Sequence, residues 1–316
     1  MNFDAHQELG RSAALAAAIE SGLLASLCRR SDSPAGHARV LGLDARATAL
    51  VLDLLVAVGA AHRSGDLYEA APALRAADRS SPGGIEFLET LWRQVPTFLR
   101  TGEPLVRMDG DAEAREAAYS PTVAKLAVLF SDAATELAAA IGGSPRTILD
   151  VGAGSGVWSL QMARRDPSAR VTGLDLPGVL DRFHEHAQQL GLADRVSVIA
   201  GDFHDVEVPE AAFDRVVLAN VVHLEPSDRA ARLVARARGW VRPGGELVVV
   251  DALQKVPSED VGIAVYAIHL SLRTGSGRVH GREEVEAWAR AAGLSPRFVP
   301  LYAGPGKLGA VVATAP

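Results

Sequence analysis

From about residue 146 onward the sequence alternates short β-branched runs with amphipathic helical stretches, and this alternation constrains the fold more than any other feature. The runs are "TILDVGA", "ARVTGLDL", "RVSVIAGD", "FDRVVLAN" and "GELVVVDA", followed by "RFVPLY" and "GAVVATA". Short apolar runs suit strands covered on both faces, and the helical stretches between them supply the crossovers that parallel strands need. The expected fold class is therefore α/β, built on a largely parallel sheet.

The first part of the chain has a different texture. From about residue 5 to 142 the pattern is helical, with faces such as "AALAAAIESGLLASL" and "ATALVLDLLVAVGA" broken by Ser-Pro, Gly and Asp stops. In "LDLLVAVGAAHRSGDLYEAAP" a helix ends near Gly59 and two extended pieces flank the turn-forming "RSGD". That is the order of a winged helix. Its second helix, "ARATALVLDLLVAVG", is too apolar to lie in a nucleic-acid groove, so packing or dimerisation is the expected role. The reading divides the chain into a helical winged-helix dimerisation domain over 1–100 and a catalytic domain over 101–316, with helices of 86–142 spanning the boundary.

Bulk properties narrow the function. A net charge of −6 without a basic block leaves no electrostatic footprint for nucleic acid or anionic lipid. The start "MNFDAHQELGRSAALAAAIE" lacks the basic and apolar regions of a secretory signal, and no apolar run approaches about 18 residues. A soluble, cytoplasmic protein acting on small molecules is expected, with neither a nucleic-acid nor a membrane partner. Cys28 is the single cysteine, so an internal disulfide is impossible and a cysteine-based metal site is not expected.

The first strand runs into "ILDVGAGSG", placing Gly152, Gly154 and Gly156 ahead of a helix that begins near Val157. Glycine lets a ligand approach the backbone, and a helix start presents free N–H groups. Dinucleotide enzymes, nucleotide-sugar enzymes and methyltransferases all use such a loop. Three acidic positions separate them: Asp150 just before the glycines, Asp175 with Leu176 at the second strand's end, and Asp202 followed by Phe203 at the third. One carboxylate can hold a ribose diol, another can accept from an adenine amino group, and the aromatic can cover the base. The same carboxylates disfavour a pyrophosphate and suit a cation such as the sulfonium of S-adenosylmethionine.

With "ILDVGAGSGVWSLQMARRDPSARVTGLDLPGVL", "DRVSVIAGDFHD", "FDRVVLANVVHLEPSDRAARLVARARGWVRPGGELVVVDALQ" and "RTGSGRVHGREEVEAWARAAGL" in view, the chain resembles a known family. It is similar to the class I S-adenosylmethionine-dependent methyltransferases, and as a whole to the small-molecule O-methyltransferases of plant phenolic and bacterial natural-product metabolism. The resemblance implies a Rossmann-like seven-stranded methyltransferase domain after the winged-helix domain, a homodimer, and S-adenosylhomocysteine as the cofactor product. It implies that the glycine loop passes the methionine part, that Asp175 takes the ribose, that Asp202 and Phe203 frame the adenine, and that Asn220 faces the cofactor. Trp158 is either a cofactor wall or core.

In that family a histidine after the fourth strand takes the acceptor's proton. His223 falls there, in a His-Leu-Glu context where the family has His-Asp-Trp. The resemblance puts Asp251 in the first of two positions that orient the base, and Val279 in the second, where the family has glutamate. Three consequences stay open: His223 with Asp251 suffices as the base; His223, His280 and His269 form a metal site for C-methylation of keto acids; or methyl transfer is lost, as in some relatives. On the acceptor side the same resemblance points to Trp92, Phe98, Tyr119, Phe130, Tyr266, His269 and His280, with Arg273 and Arg278 able to receive an acidic group. The expected activity is methyl transfer to a hydroxyl of a small aromatic or polyketide-like acceptor, against a winged-helix regulator or a dehydrogenase as rivals.

Overall fold

The computed structural model describes residues 3–76, 84–120 and 122–316. They form two compact units that divide between Arg93 and Gln94. The sequence reading divided the chain after residue 100; the short helix over 95–101 groups instead with the second unit.

The first unit opens with α1 (Phe3–Glu20), α2 (Leu23–Arg29), α3 (Pro34–Leu41) and α4 (Ala45–Ala57). A hairpin follows, β1 (Ala61–Ser64) and β2 (Leu67–Ala70), then α5 (Pro72–Ala76) and α6 (Ile85–Arg93). Side-chain caps start two of the helices: Ser33 accepts the Gly36 N–H and Asp44 accepts the Ala47 N–H. Leu23, Leu24, Leu27, Leu52, Leu55 and Tyr68 make a core of their own. The hairpin turns at Gly65, whose φ of 60° is costly for most other residues.

The second unit begins with α7 (Val95–Thr101), α8 (Ala112–Tyr119) and α9 (Val123–Ile141). It continues as β3 (Thr147–Val151), α10 (Val157–Arg164), β4 (Arg170–Asp175), α11 (Pro177–Gln189), β5 (Val196–Ala200) and β6 (Phe213–Ala219). After these come α12 (Ser227–Trp240), β7 (Val241–Asp251), α13 (Val261–Ser271), α14 (Arg282–Ala291), β8 (Ser295–Pro300) and β9 (Gly309–Thr314). The seven strands stand in the order β5-β4-β3-β6-β7-β9-β8, all parallel except that β9 runs antiparallel to β7 and β8.

Alternation along the strands fills both faces. Val217, Val248 and Val250 pack with α9 and α10, while their neighbours Val216, Leu247 and Val249 pack with α12 and α14. Every residue of β6 is buried. From β3 the chain builds outward through β4 to β5, then returns to lay β6 on the other side of β3. The loops after β3 and β6 therefore leave in opposite directions and open a crevice at the carboxyl ends of the strands.

Candidate active site

The loop after β3 folds onto the end of β4. Gly152 and Ala153 donate their N–H groups to the Leu174 carbonyl at 2.8 and 3.2 Å, and Gly154 donates to Asp175 Oδ2 at 2.8 Å. A Cβ on Gly152, where φ is +66°, would stand 2.7 Å from Val221. Gly156 serves a different purpose: its Cβ would meet the Phe183 ring at 2.6 Å, so its bareness lets α11 approach α10.

This loop borders a cavity of about 310 Å³ whose wall includes Gly152, Gly154, Asp175, Leu176, Asp202, Phe203 and Asn220. Asp150 and Gly156, also expected at the cofactor, are not in that wall. Asp150 is buried in the core under the loop, where its Oδ2 accepts from Ser159 Oγ at 2.5 Å. Burial pushes its pKa up to about 7, with Ser159 acting against the shift and Asp175 adding to it. Asp175 is itself raised by burial, opposed by the N–H groups of Gly154 and Leu176, which its two oxygens accept.

Asn220 directly follows β6 in a left-handed conformation, φ 57°, which asparagine tolerates better than most residues. Its Oδ1 accepts from Trp158 Nε1 at 3.2 Å. Trp158 is thus both core, at 4% exposure, and cavity wall, with Phe130 tilted against it at 5.8 Å between ring centroids.

The wall also holds groups without a sequence signal. Arg115 of α8 forms an ion pair with Asp202, 87 residues away, and lies over the Phe203 ring at 6.0 Å. Burial opposes ionisation of Asp202, but the His204 N–H and Arg115 hold its pKa below the usual carboxylate range. Glu225 pairs with His204 Nε2 at 2.7 Å and with Arg229 Nε at 3.0 Å. In total Asp109, Asp111, Asp175, Asp202 and Glu225 face the cavity against Arg115 and Arg229. Such a wall suits a cation with an amino-acid and a ribose part, and repels a pyrophosphate.

His223 sits on a short 3₁₀ turn, Val222–Leu224, directly after Asn220 and Val221. Its Nδ1 lies 2.8 Å from Asp251 Oδ2 and 3.0 Å from Oδ1, and Asp251 Oδ1 also accepts the Ala252 N–H at 2.9 Å. Because a carboxylate only accepts, the proton is on Nδ1 and Nε2 carries the lone pair. Nε2 makes no hydrogen bond among the described residues. The Tyr266 ring stands edge-on to the imidazole, 6.0 Å between centroids.

The residues after α13 hold this turn from behind. Arg278 donates its backbone N–H to the His223 carbonyl at 2.8 Å, and His280 Nε2 lies 3.0 Å from the carbonyls of both Val222 and Glu225. Carbonyls only accept, so His280 Nε2 is a donor and offers no lone pair to a metal shared with His223. Its Nδ1 faces Glu284 Oε2 at 3.4 Å without a hydrogen bond. Among the described residues no three His, Cys, Asp or Glu side chains converge as metal ligands. The residues thus do not fit the metal site entertained from the sequence, and His280 is a buried brace of the turn.

Of the expected acceptor-side residues, Tyr119 and Phe130 line the cavity while Phe98, Tyr266, His269 and His280 do not. Trp92 belongs to α6 in the first unit. Burial, then the charge of Arg273, lowers the His269 pKa to about 4, which keeps that ring neutral near pH 7.

A family model described as an O-methyltransferase domain matches residues 97–295. The chain belongs to this family. It is 27% identical over 314 residues to the tetracenomycin polyketide synthesis 8-O-methyl transferase of Streptomyces glaucescens, covering 94% of this chain and 91% of that protein. It is 26% identical over 317 residues to the 3-hydroxy-5-methyl-1-naphthoate 3-O-methyltransferase of Streptomyces sahachiroi, covering 96% and 91% respectively. Human N-acetylserotonin methyltransferase, solved in complex with S-adenosylmethionine, superposes with a TM-score of 0.69 at 19% identity, over 99% of this chain and 96% of that one. The protein is accordingly an S-adenosylmethionine-dependent O-methyltransferase with the Rossmann-like fold of that class. The acidic cavity and its glycine loop fit this cofactor.

Proposed function

We propose that this O-methyltransferase acts on a hydroxyl of a small aromatic or polyketide-like acceptor, with His223 as general base and Asp251 as the acid that orients it. The 2.8 Å contact from His223 Nδ1 to Asp251, with no partner for Nε2 among the described residues, carries this reading. Bound S-adenosylmethionine would supply the methyl as an electrophile on positively charged sulfur, which would keep the bonding pair as the acceptor oxygen took the methyl carbon. His223 Nε2 takes the hydroxyl proton, and Asp251 stabilises the resulting imidazolium. Asn220 and Val221 at the cavity wall put the base only two residues along the chain from the cofactor side.

The acceptor class is supported by the polyketide and hydroxynaphthoate named for the two relatives, and by Tyr119, Phe130 and Trp158 in the cavity wall. The homodimer implied by the family resemblance is tested directly by light scattering on a sizing column.

Replacing His223 by Ala is expected to lower turnover by roughly 10²–10⁴ while S-adenosylmethionine affinity stays unchanged. Turnover equal to that of the parent enzyme would defeat the assignment.

A further inference from the structure

The face of α13 that reaches His223 continues into Arg273, which has no acidic partner among the described residues. Tyr266, His269 and Arg273 stand at i, i+3 and i+7 from the helix into its C-terminal turn, a spacing that puts them on one side. Tyr266 at one end meets the His223 ring. Arg273 at the other end accepts the backbone N–H of Met108 on its carbonyl at 2.8 Å, and Met108 is part of the cavity wall. The guanidinium's charge is felt by the hydroxyls of Tyr266, whose ring meets His223, and of Tyr119, which lines the cavity.

Arg273 is partly buried, and its side chain makes one hydrogen bond, from Nε to the His269 carbonyl at 3.4 Å. Its terminal nitrogens have neither a hydrogen-bond acceptor nor an ion-pair partner among the described residues. The nearby Asp109 is committed elsewhere, its two oxygens accepting the N–H groups of Gly275 and Ser276 and the Ser276 hydroxyl. Burial lowers the Arg273 pKa, and the hydroxyls of Tyr266 and Tyr119 are the groups that act in the opposite sense. A guanidinium taken from water without a carboxylate is unfavourable unless an anion arrives to meet it. Its planar fork matches a carboxylate.

We propose that Arg273 is the anion-binding residue of the acceptor site, and that the acceptor is a hydroxylated aromatic carboxylic acid bound as its carboxylate. The assignment rests on the methyl-transfer reading, since it takes the space between His223 and the cavity as the place where the acceptor lies. Arg273 binds the carboxylate, Tyr266 and Tyr119 offer hydroxyls beside it, and the acceptor's own hydroxyl is directed to His223.

The test measures binding rather than turnover. The full-length protein loaded with S-adenosylhomocysteine is titrated calorimetrically with 3-hydroxy-2-naphthoate and, separately, with its methyl ester, which keeps the ring and the hydroxyl but removes the charge. The parent protein is expected to prefer the carboxylate by at least about tenfold, the scale of a charge-assisted hydrogen-bond pair. Arg273→Gln is expected to abolish the preference and Arg273→Lys to keep part of it, both with unchanged S-adenosylhomocysteine affinity. Equal affinity of the parent for acid and ester, binding of neither at millimolar concentration, or a preference that survives in Arg273→Gln would each overturn the proposal. The parent comparison needs no variant, so a folding defect in Arg273→Gln leaves the test intact. Failure to bind S-adenosylhomocysteine at all counts against the methyl-transfer reading instead, and the acid and ester are then compared on the protein alone.

Discussion

His223 Nδ1 meets both oxygens of Asp251, at 2.8 and 3.0 Å, so the imidazole is held in the tautomer that leaves Nε2 basic. Asp251→Asn keeps the size of the side chain but supplies an amide that donates as well as accepts. The variant is expected to lose at least about tenfold in kcat through misoriented or wrongly protonated imidazole, with cofactor affinity unchanged. Steady-state kinetics beside calorimetric cofactor titration separate the two quantities; a kcat equal to the parent's removes Asp251 from the mechanism.

His280 braces the turn that carries His223 through two carbonyls. His280→Ala removes a fully buried ring and leaves two acceptors unmet, at a cost of about 2–4 kcal/mol of stability, read from urea midpoints. His280→Gln, which retains a donor, is expected to recover part of both stability and kcat. Dialysis against a chelator is expected to leave activity unchanged, because the donor geometry of His280 does not serve a metal. Loss of activity restored by a divalent ion would contradict that geometry.

Two glycines of the loop predict different phenotypes. Gly152→Ala places a Cβ 2.7 Å from Val221 in the cavity wall, and its main effect is expected on cofactor Kd. Gly156→Ala drives a Cβ to 2.6 Å from Phe183 at a φ of +70°, and is expected to cost about 1–3 kcal/mol in folding stability. Thermal melts with and without S-adenosylhomocysteine distinguish them.

Asp150 links folding to pH. An unfolded aspartate titrates near 3.9, whereas burial raises Asp150 in the folded protein to about 7. Between these values the folded state holds a proton that the unfolded chain has released. The stabilisation is full below about pH 4, falls by up to about 1.4 kcal/mol per pH unit, and is gone above about pH 7. Asp150→Asn, which cannot ionise, is expected to lack this decline, so the stability difference between variant and parent should grow from pH 5 to pH 8 in urea titrations. Parallel curves would show that Asp150 is not the titrating group.

The glycine loop, the carboxylates at strand ends and the histidine after β6 were legible because each is local, a residue type at a fixed offset from a recognisable strand. The winged helix was legible for the same reason, from a helix stop followed by "RSGD". Arg115 was not, because its meeting with Asp202 spans 87 residues and leaves no spacing to read. Asp150 and His280 fail differently. Sequence position brings both near the site, but which atoms they face depends on packing: Asp150 turns under the loop to Ser159, and His280 turns its Nε2 to two carbonyls. Histidine spacing says nothing about direction, and so of a pair that reads as metal ligands one histidine is held by Asp251 and the other braces its turn.

His223 follows the end of β6 and Asp251 ends β7, and these strands are neighbours in register, Ala219 against Val250. The spacing of the pair is therefore inherited from the pitch of a hydrogen-bonded sheet, about 4.8 Å between strands, rather than from the shape of any loop. The pair proposed to move the proton stands on a fixed bench, while α8 reaches the cavity with Arg115 and Tyr119 and α13 reaches His223 with Tyr266 from outside the sheet. On the proposed mechanism, substitutions on α8 and α13 are expected to retune which acceptor enters without disturbing the alignment of His223 with Asp251.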